Sequence, residues 1–132
     1  MRRDSRRAEC VGEKDFGCGV PGVHTVFGPG LLESAYTACL VHELRKLGID
    51  VKMEVPVPIV YEGVKLTDVG YRIDMLVENE LVLEIKSLES ISQVHLLQLV
   101  SYLKLADRRL GLRLNFNVEH LRDGIYRRVN RL

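Results

Sequence analysis

Apolar and polar residues alternate with a period of two through residues 71–87, a pattern that predicts two β-strands joined by a short turn. The apolar face of this predicted hairpin is formed by Ile73, Met75, Val77, Leu81, Leu83 and Ile85. The other face carries the charged residues Arg72, Asp74, Glu84 and Lys86, together with Leu76 and Val82. The alternation therefore predicts a hairpin with one face in the core and one face that presents charged groups.

The length of the turn decides which residues face one another across the hairpin. A two-residue loop would set Asp74 opposite Ile85 and so pair a charged face with an apolar one, against the pleat. A three-residue loop at 78–80 keeps both faces consistent, because it sets Asp74 opposite Glu84. The same register predicts the pairs Met75–Leu83 and Ile73–Ile85.

Two segments have the period of a helix. The first is 31–47, which ends at Gly48 and has apolar residues at Leu32, Ala35, Tyr36, Cys39, Leu40, Leu44 and Leu47. The second begins after Ser90 or Ser92, either of which can cap it, and runs to about Ala106. Its predicted buried stripe is Leu96, Leu99, Val100 and Leu103.

Four further segments are predicted as strands or strand fragments. Residues 51–61 alternate but contain Pro56 and Pro58, which predicts an edge strand or a strand with a bulge. A turn at Glu62 and Gly63 leads to a short continuation at 64–67, and later strands are expected at 110–116 and, at a sheet edge, at 124–129. The order predicts an α/β fold, a mixed β-sheet with flanking helices.

Size and composition limit the architecture to one domain, because 132 residues with 46% hydrophobic and 28% charged residues suit a single globular core. We expect a poorly ordered segment at 1–22, where Pro21 stands among glycines, and a folded domain at 23–132. The net charge of +1 argues against strong non-specific DNA binding, although arginines cluster at both ends of the chain. These arginines could contact nucleic acid or could simply be solvated.

The cysteine pattern and the absence of long apolar runs bear on the cellular compartment of the protein. Three cysteines without C-x-x-C spacing suggest neither a disulfide framework nor a zinc site. The basic N-terminus lacks the apolar run of a signal peptide, and no stretch has the length of a membrane span. We therefore expect a cytoplasmic protein without a membrane partner.

The charged face of the hairpin carries the candidate chemistry. Carboxylates of Asp74 and Glu84 at about 4 Å would repel by roughly 4 kcal/mol at an effective dielectric near 20, so a compensating charge is expected. A divalent cation between them would turn this repulsion into attraction, with Lys86 on the same face aimed at a phosphate or an attacking water. The alternative is a solvated polar face with an ordinary ion pair.

Two further groups of polar residues have both a functional and a structural interpretation. Glu33 lies in the first turn of a predicted helix, where the helix dipole alone would favour an anion. His95, Gln98 and Tyr102 share one side of the later helix and could serve a site or merely border the core.

Four ordered motifs together resemble a known family. Gly30, Glu33 and Tyr36 match G-x-x-E-x-x-Y, and they are followed by Asp74, by Glu84-Ile-Lys86 and by Gln98-Leu-Val-Ser-Tyr102. The chain resembles the GxxExxY proteins, a bacterial family of the PD-(D/E)XK nuclease superfamily, over roughly 23–130. Relatives usually begin with an amphipathic helix, which we expect to be missing or short here because of Pro21.

The resemblance implies a restriction-endonuclease-like core and a metal-dependent nuclease site. Mg²⁺, or alternatively Mn²⁺, would be held by Glu33, Asp74 and Glu84, and Lys86 would position the nucleophilic water. Gln98 and Tyr102 match the Q-x-x-x-Y helix beside such sites, and His95 stands where these proteins often have a histidine. The implied activity is phosphodiester hydrolysis of DNA or RNA.

Other functions remain open at this point. The fold could serve as a catalytically silent module that binds nucleic acid or protein, or as an assembly partner that uses an exposed hairpin edge. A homodimer is also left open.

Overall fold

The computed structural model describes residues 20–131. Within this range three α-helices, five β-strands and one short 3-10 helix follow one another along the chain. In chain order they are α1 (Val20–Phe27), α2 (Glu33–Lys46), β1 (Val51–Tyr61), β2 (Val64–Val77), β3 (Leu81–Lys86), α3 (Gln93–Ala106), β4 (Leu110–Asn115), the 3-10 helix (Leu121–Gly124) and β5 (Ile125–Val129).

The strands form a five-stranded mixed sheet in the order β1-β2-β3-β4-β5. The pairs β1–β2, β2–β3 and β4–β5 are antiparallel, whereas β3 and β4 run parallel. Parallel neighbours need a crossover connection, and α3 provides it between β3 and β4. The predicted fold class, a mixed sheet with flanking helices, is confirmed.

The sheet buries apolar residues on both faces. On one face, Tyr36, Leu40 and Leu44 of α2 pack with Leu83 and Ile85 of β3. On the other face, Leu99 and Leu103 of α3 pack with the second core cluster, which contains Val57, Ile73, Leu76 and Val82. The protein is thus a three-layer arrangement, and the face covered by α3 is called the α3 face below.

The regular alternation of β1 and β2 is broken at one level of the sheet. Met75 and Val77 belong to the α2 core, whereas Ile73 packs on the α3 face with Leu76, so β2 changes faces at Asp74. The β1–β2 pairing skips here from Met53–Met75 to Val55–Ile73, and Glu54 has a φ of 52°, in the left-handed region. The prediction that Ile73 shares a face with Met75 is therefore wrong, because a strict period of two does not hold across this irregularity.

The tight turn of the predicted hairpin is confirmed. Strand pairing joins Val77 to Leu81 and Met75 to Leu83, which is the register of the three-residue loop at 78–80. Two residues of this loop, Glu78 and Asn79, have positive φ, as a short hairpin turn requires. Among the described residues the β2–β3 pairing ends at Met75–Leu83, so the expected strand pairs Asp74–Glu84 and Ile73–Ile85 are not formed.

Most other strand predictions are also confirmed. β1 is an edge strand with register shifts around Ile59, next to Pro58, as the two prolines indicate. β5 forms the opposite edge. The short continuation expected at 64–67 is instead the start of one long strand, β2, because pairing with β1 continues through the turn end of the hairpin.

The helix boundaries differ slightly from the periodicity. α2 begins at Glu33 with an exposed Leu32 at the N-cap, and Leu47 lies past its end, so neither belongs to the buried stripe. Val41, which the predicted stripe omits, is buried instead. α3 begins after Ser92, whose side chain accepts a hydrogen bond from the His95 backbone while the His95 ring accepts one from the Ser92 backbone.

An eight-residue helix forms around Pro21, because α1 spans Val20–Phe27, and it includes the last three residues of the segment expected to be poorly ordered. Proline is tolerated in the first turn of a helix, where its missing N–H has no acceptor to lose. Val23 of α1 is buried in the α2 core. The remainder of the expected poorly ordered segment, 1–19, lies outside the described residues. No helix in 20–131 is long and apolar enough to cross a membrane.

Candidate active site

Asp74 lies where the strands of the central hairpin part. Its Oδ2 accepts a hydrogen bond from the backbone nitrogen of Ile85 at 3.0 Å, just beyond the last strand pair, Met75–Leu83. The carboxylate thus accepts the hydrogen bond from Ile85 that a backbone carbonyl of β2 would accept in a continued strand pair. This bond fixes Asp74 beside the end of β3, the strand that carries Glu84 and Lys86.

The surroundings of Asp74 disfavour its charged form. Burial raises its pKa from the ordinary value of 3.8, the hydrogen bond from Ile85 lowers it, the Glu84 charge raises it again and the Lys86 charge lowers it. The net direction is upward. Glu84 and Lys86 therefore both lie close enough to Asp74 to act on it electrostatically.

Glu84 is held on both carboxylate oxygens by neighbouring side chains. Its Oε1 accepts a hydrogen bond from the Tyr71 hydroxyl, and its Oε2 accepts one from Nη2 of Arg113 at 2.7 Å. Arg113 is its neighbour on the parallel strand β4. Glu84 is 3% exposed and Arg113 is fully buried at 0%. The residue predicted as a metal ligand is thus one half of a buried ion pair.

Tyr71 is fixed by a second tyrosine. Its ring stacks on Tyr102 of α3 with centroids 3.7 Å apart and an angle of 10° between the planes. Burial, followed by the charge and hydrogen bond of Glu84, raises the pKa of Tyr71 above its ordinary value of 10.0. The phenol therefore stays protonated and donates. Tyr102, predicted from the Q-x-x-x-Y motif, reaches the site through Tyr71.

Glu33 approaches from the α2 layer rather than the α3 face. Its Oε1 accepts a hydrogen bond from the backbone nitrogen of Ser87 at 3.4 Å, directly after β3 ends. The Ser87 hydroxyl donates to the carbonyl of Leu31 at 2.9 Å, which ties the same two segments together. Glu33 is therefore placed on the α2 side of the sheet, next to Ser87 at the end of β3.

Tyr36 positions the loop in front of Glu33. Its hydroxyl donates to the Gly28 carbonyl at 2.5 Å and accepts from the Leu31 nitrogen at 3.1 Å. Its ring stacks on Phe116 at 4.4 Å. Gly30 has a φ of 104°, a conformation that favours glycine. The Gly and Tyr of the G-x-x-E-x-x-Y motif thus shape the loop that leads to its Glu.

The segment after β3 is held by Asn115, a buried residue of β4. Its side-chain amide donates to the Leu88 carbonyl at 2.9 Å, and its Oδ1 accepts from the Leu88 nitrogen at 3.0 Å. The backbone nitrogen of Phe116 donates to the Lys86 carbonyl at 2.9 Å. These bonds fix the backbone from which Lys86 extends.

The other two predicted polar residues of α3, Gln98 and His95, do not reach the site in the way that Tyr102 does. Gln98 is exposed, one helical turn before Tyr102. His95 caps the start of α3 through its side chain, and its backbone carbonyl accepts a hydrogen bond from Nη1 of Arg113. The structure therefore gives His95 a structural role next to the site and leaves the Gln98 side chain toward solvent.

The donor set suits a hard divalent cation in type. Within residues 20–131 no group of three or more His, Cys, Asp and Glu side chains lies together in a way that could hold a metal ion, so Glu33 does not join Asp74 and Glu84 in one cluster. Mg²⁺ is commonly bound by one or two carboxylates with water and substrate phosphate completing the shell. Asp74 and Glu84 meet this need, because a carboxylate oxygen that accepts one hydrogen bond keeps a second lone pair.

Two residues of the site escape sequence reasoning. By strict alternation Tyr71 would lie on the apolar face with Met75 and Val77. Only the face change at Asp74 brings its hydroxyl into contact with Glu84. Arg113 is the one charged residue in LGLRLN, a strand whose residues are otherwise apolar or amide. A lone arginine in a central strand needs a buried carboxylate partner, and that signal could have identified Arg113.

Comparison with known proteins gives a family for the whole arrangement. A family model described as the PD-(D/E)XK nuclease superfamily matches residues 17–129. Neither the curated proteins nor the solved structures gave a significant match. The match spans nearly the whole chain and all five strands of the sheet. This chain belongs to the PD-(D/E)XK nuclease superfamily.

Proposed function

We propose that this protein hydrolyses phosphodiester bonds of DNA or RNA with the help of Mg²⁺ or Mn²⁺. The observation that carries the proposal is the electrostatic cluster of Asp74, Glu84 and Lys86 at the level of the sheet where β2 and β3 cease to pair. A solvated surface would not hold two carboxylates against each other, one of them buried, with a lysine beside them.

Asp74 and Glu84 are the residues that would hold the cation, with Glu33 nearby at the end of β3. When bound, a divalent cation supplies neutralisation of the phosphate and activation of water. Lys86 contributes a positive charge beside Asp74, where negative charge on a phosphate would build up during cleavage. Tyr71 and Arg113 orient the Glu84 carboxylate, and Tyr102 fixes Tyr71 by stacking. Gln98 is exposed on α3 and is free to meet the substrate.

Within the superfamily we assign the chain to the GxxExxY proteins. The roles of Gly30 and Tyr36 in shaping the loop before Glu33 support this assignment, because they give each motif residue a reason to be present. A cytoplasmic location is part of the proposal, and the free thiol of Cys39 accords with a reducing compartment.

A second candidate is a nucleic-acid-binding module without turnover. The observation in its favour is that both oxygens of Glu84 already accept hydrogen bonds, from Tyr71 and from Arg113. In that case Lys86 would act as a phosphate contact.

Cleavage assays separate the two candidates. Single-stranded DNA, double-stranded DNA and RNA are each incubated with the wild-type protein and with Asp74→Asn, in Mg²⁺, in Mn²⁺ and in EDTA. Cleavage that requires the cation and is lost in Asp74→Asn supports the nuclease. Binding without cleavage under all of these conditions, measured on the same substrates by fluorescence anisotropy, supports the binding module.

A further inference from the structure

Arg113 is a buried, positively charged residue that contacts one of the two proposed metal-binding carboxylates. Its side chain is completely buried in the middle of the sheet, where it donates to Oε2 of Glu84 and to the backbone carbonyl of His95. Its buried Nε has no hydrogen-bond acceptor among the residues described. A guanidinium cannot lose its proton in a protein, so it needs a permanent counter-charge at this depth. Glu84 supplies that charge.

The pairing changes the charge that an incoming cation meets. Two neighbouring carboxylates, Asp74 and Glu84, would by themselves repel each other and attract a divalent cation strongly. With Arg113 in place, one of the two is already neutralised in the metal-free protein. The cation must share Glu84 with a fixed positive group that it also repels.

These opposing effects are linked thermodynamically. A group that stabilises the metal-free site more than the metal-bound site lowers the affinity of the site for metal by the same factor. Arg113 is such a group, because its guanidinium pairs with Glu84 in the metal-free protein and would repel a cation beside that same carboxylate.

We propose that Arg113 is a positioning residue that acts as the built-in counter-ion of Glu84 and thereby sets the affinity of the site for divalent metal. The inference rests on the proposed function, since it takes Asp74 and Glu84 as the metal-binding carboxylates. Its consequence is a free protein that binds metal weakly, although it carries the carboxylates for tight binding.

The test is the dissociation constant for Mn²⁺ alone, measured by isothermal titration calorimetry without nucleic acid. Arg113→Met removes the charge and keeps much of the apolar volume. We expect it to bind Mn²⁺ at least tenfold more tightly than wild type, and Glu84→Gln in the Arg113→Met background to lose that gain. Arg128→Met is the matched control, since Arg128 is a half-buried arginine of β5 that contacts the Arg127 carbonyl, and it should bind like wild type.

Arg113→Gln is the second variant in case Arg113→Met fails to fold, because its amide can still donate to Glu84 without carrying charge. The same tenfold gain is expected for it. An affinity of either folded variant equal to or weaker than wild type overturns the counter-ion inference and leaves the proposed nuclease function standing. Absence of Mn²⁺ binding in wild type and in both variants overturns the inference and the proposed metal dependence together.

Discussion

The Asp74 side chain accepts a hydrogen bond from the backbone nitrogen of Ile85 at 3.0 Å, at the point where β2 and β3 cease to pair. The bond satisfies a backbone donor that would otherwise have lost its strand partner. It also draws a carboxylate toward Glu84, whose charge raises the pKa of Asp74 together with burial. One side chain therefore both satisfies the Ile85 N–H and brings a carboxylate near Glu84, at a cost in electrostatic repulsion.

Asp74→Asn should make the metal-free protein more stable at pH 7. Asparagine can still accept from Ile85 but carries no charge to repel Glu84. Because burial raises the pKa of Asp74 in the folded state, folding favours the protonated acid, and this contribution is present below the ordinary pKa of 3.8 and lost as pH rises through the raised value. The gap between variant and wild type should thus be small near pH 3 and widen toward neutral pH, as measured by urea unfolding in EDTA.

Asp68→Asn provides the control for this series. Asp68 is an exposed residue of the same strand and pairs with Lys65 on the surface, so its removal should change stability little at any pH. If Asp74→Asn is less stable than wild type at pH 7, the proposed repulsion between the two site carboxylates is wrong.

Divalent metal should stabilise the wild-type protein against heat. A ligand that binds only the folded state adds about 2.7 kcal/mol at a free concentration 100 times its dissociation constant. Thermal unfolding with increasing Mg²⁺ or Mn²⁺ should therefore raise the Tm of wild type and of Asp68→Asn, and leave that of Asp74→Asn unchanged. An equal rise in wild type and Asp74→Asn would place the metal elsewhere.

Lys86→Ala should retain metal binding and lose most of the cleavage rate. The ammonium is expected to act on charge that develops in the transition state, and loss of one such group costs roughly 100-fold or more in rate. Lys86→Arg should also lose substantial activity, because a planar guanidinium does not replace a compact ammonium beside a carboxylate and a phosphate. Single-turnover cleavage and Mn²⁺ titration of the same samples give both readouts.

Lys65→Ala serves as the comparison for Lys86, since Lys65 is an exposed lysine of β2 in a surface ion pair with Asp68. Its cleavage rate should match wild type. Glu84→Ala, in contrast, should lose metal binding as well as cleavage. A Lys86→Ala protein that cleaves at the wild-type rate would assign the lysine a purely structural role.

Tyr71→Phe should destabilise the protein by about 1.5–3 kcal/mol, the usual worth of a hydrogen bond to a charged group. The phenylalanine ring keeps the stack on Tyr102 but leaves Oε1 of Glu84 without its donor. Tyr102→Phe keeps the stack and leaves the Glu84 hydrogen bonds intact, so it should cost much less. Urea unfolding at pH 7 compares the two, and equal losses would argue against a specific Tyr71–Glu84 bond.

Local chemistry explains which parts of the fold could be predicted from the sequence. The loop at 78–80 and the Met75–Leu83 pair follow from side-chain alternation near a tight turn, where each residue's face is decided by its neighbours. Pro56 and Pro58 place β1 at an edge because a proline has no backbone N–H to donate to a second neighbouring strand. Asp74, Glu84 and Lys86 were found together because all three lie within one hairpin.

The rest of the site depends on contacts between distant segments. Arg113 meets Glu84 only because α3 carries the chain across to a parallel β4, and no local pattern states which strand will be its neighbour. Tyr71 reaches Glu84 only because β2 changes faces at Asp74. Glu33 comes from the opposite layer, and for that reason it contacts Ser87 rather than the two other carboxylates.

Because β1 and β2 change faces at the same level, the site depends on the number of residues in β1, although β1 contributes no residue to the site. Val51 packs on the α2 side, whereas Val55 and Val57 pack on the α3 side, so the edge strand crosses over around Glu54 just as β2 does at Asp74. Deleting Glu54 would restore an uninterrupted pleat in β1 and press β2 to follow it. Tyr71 would then turn away from Glu84. A single-residue deletion at the sheet edge would thus disrupt the site although none of the site residues is changed.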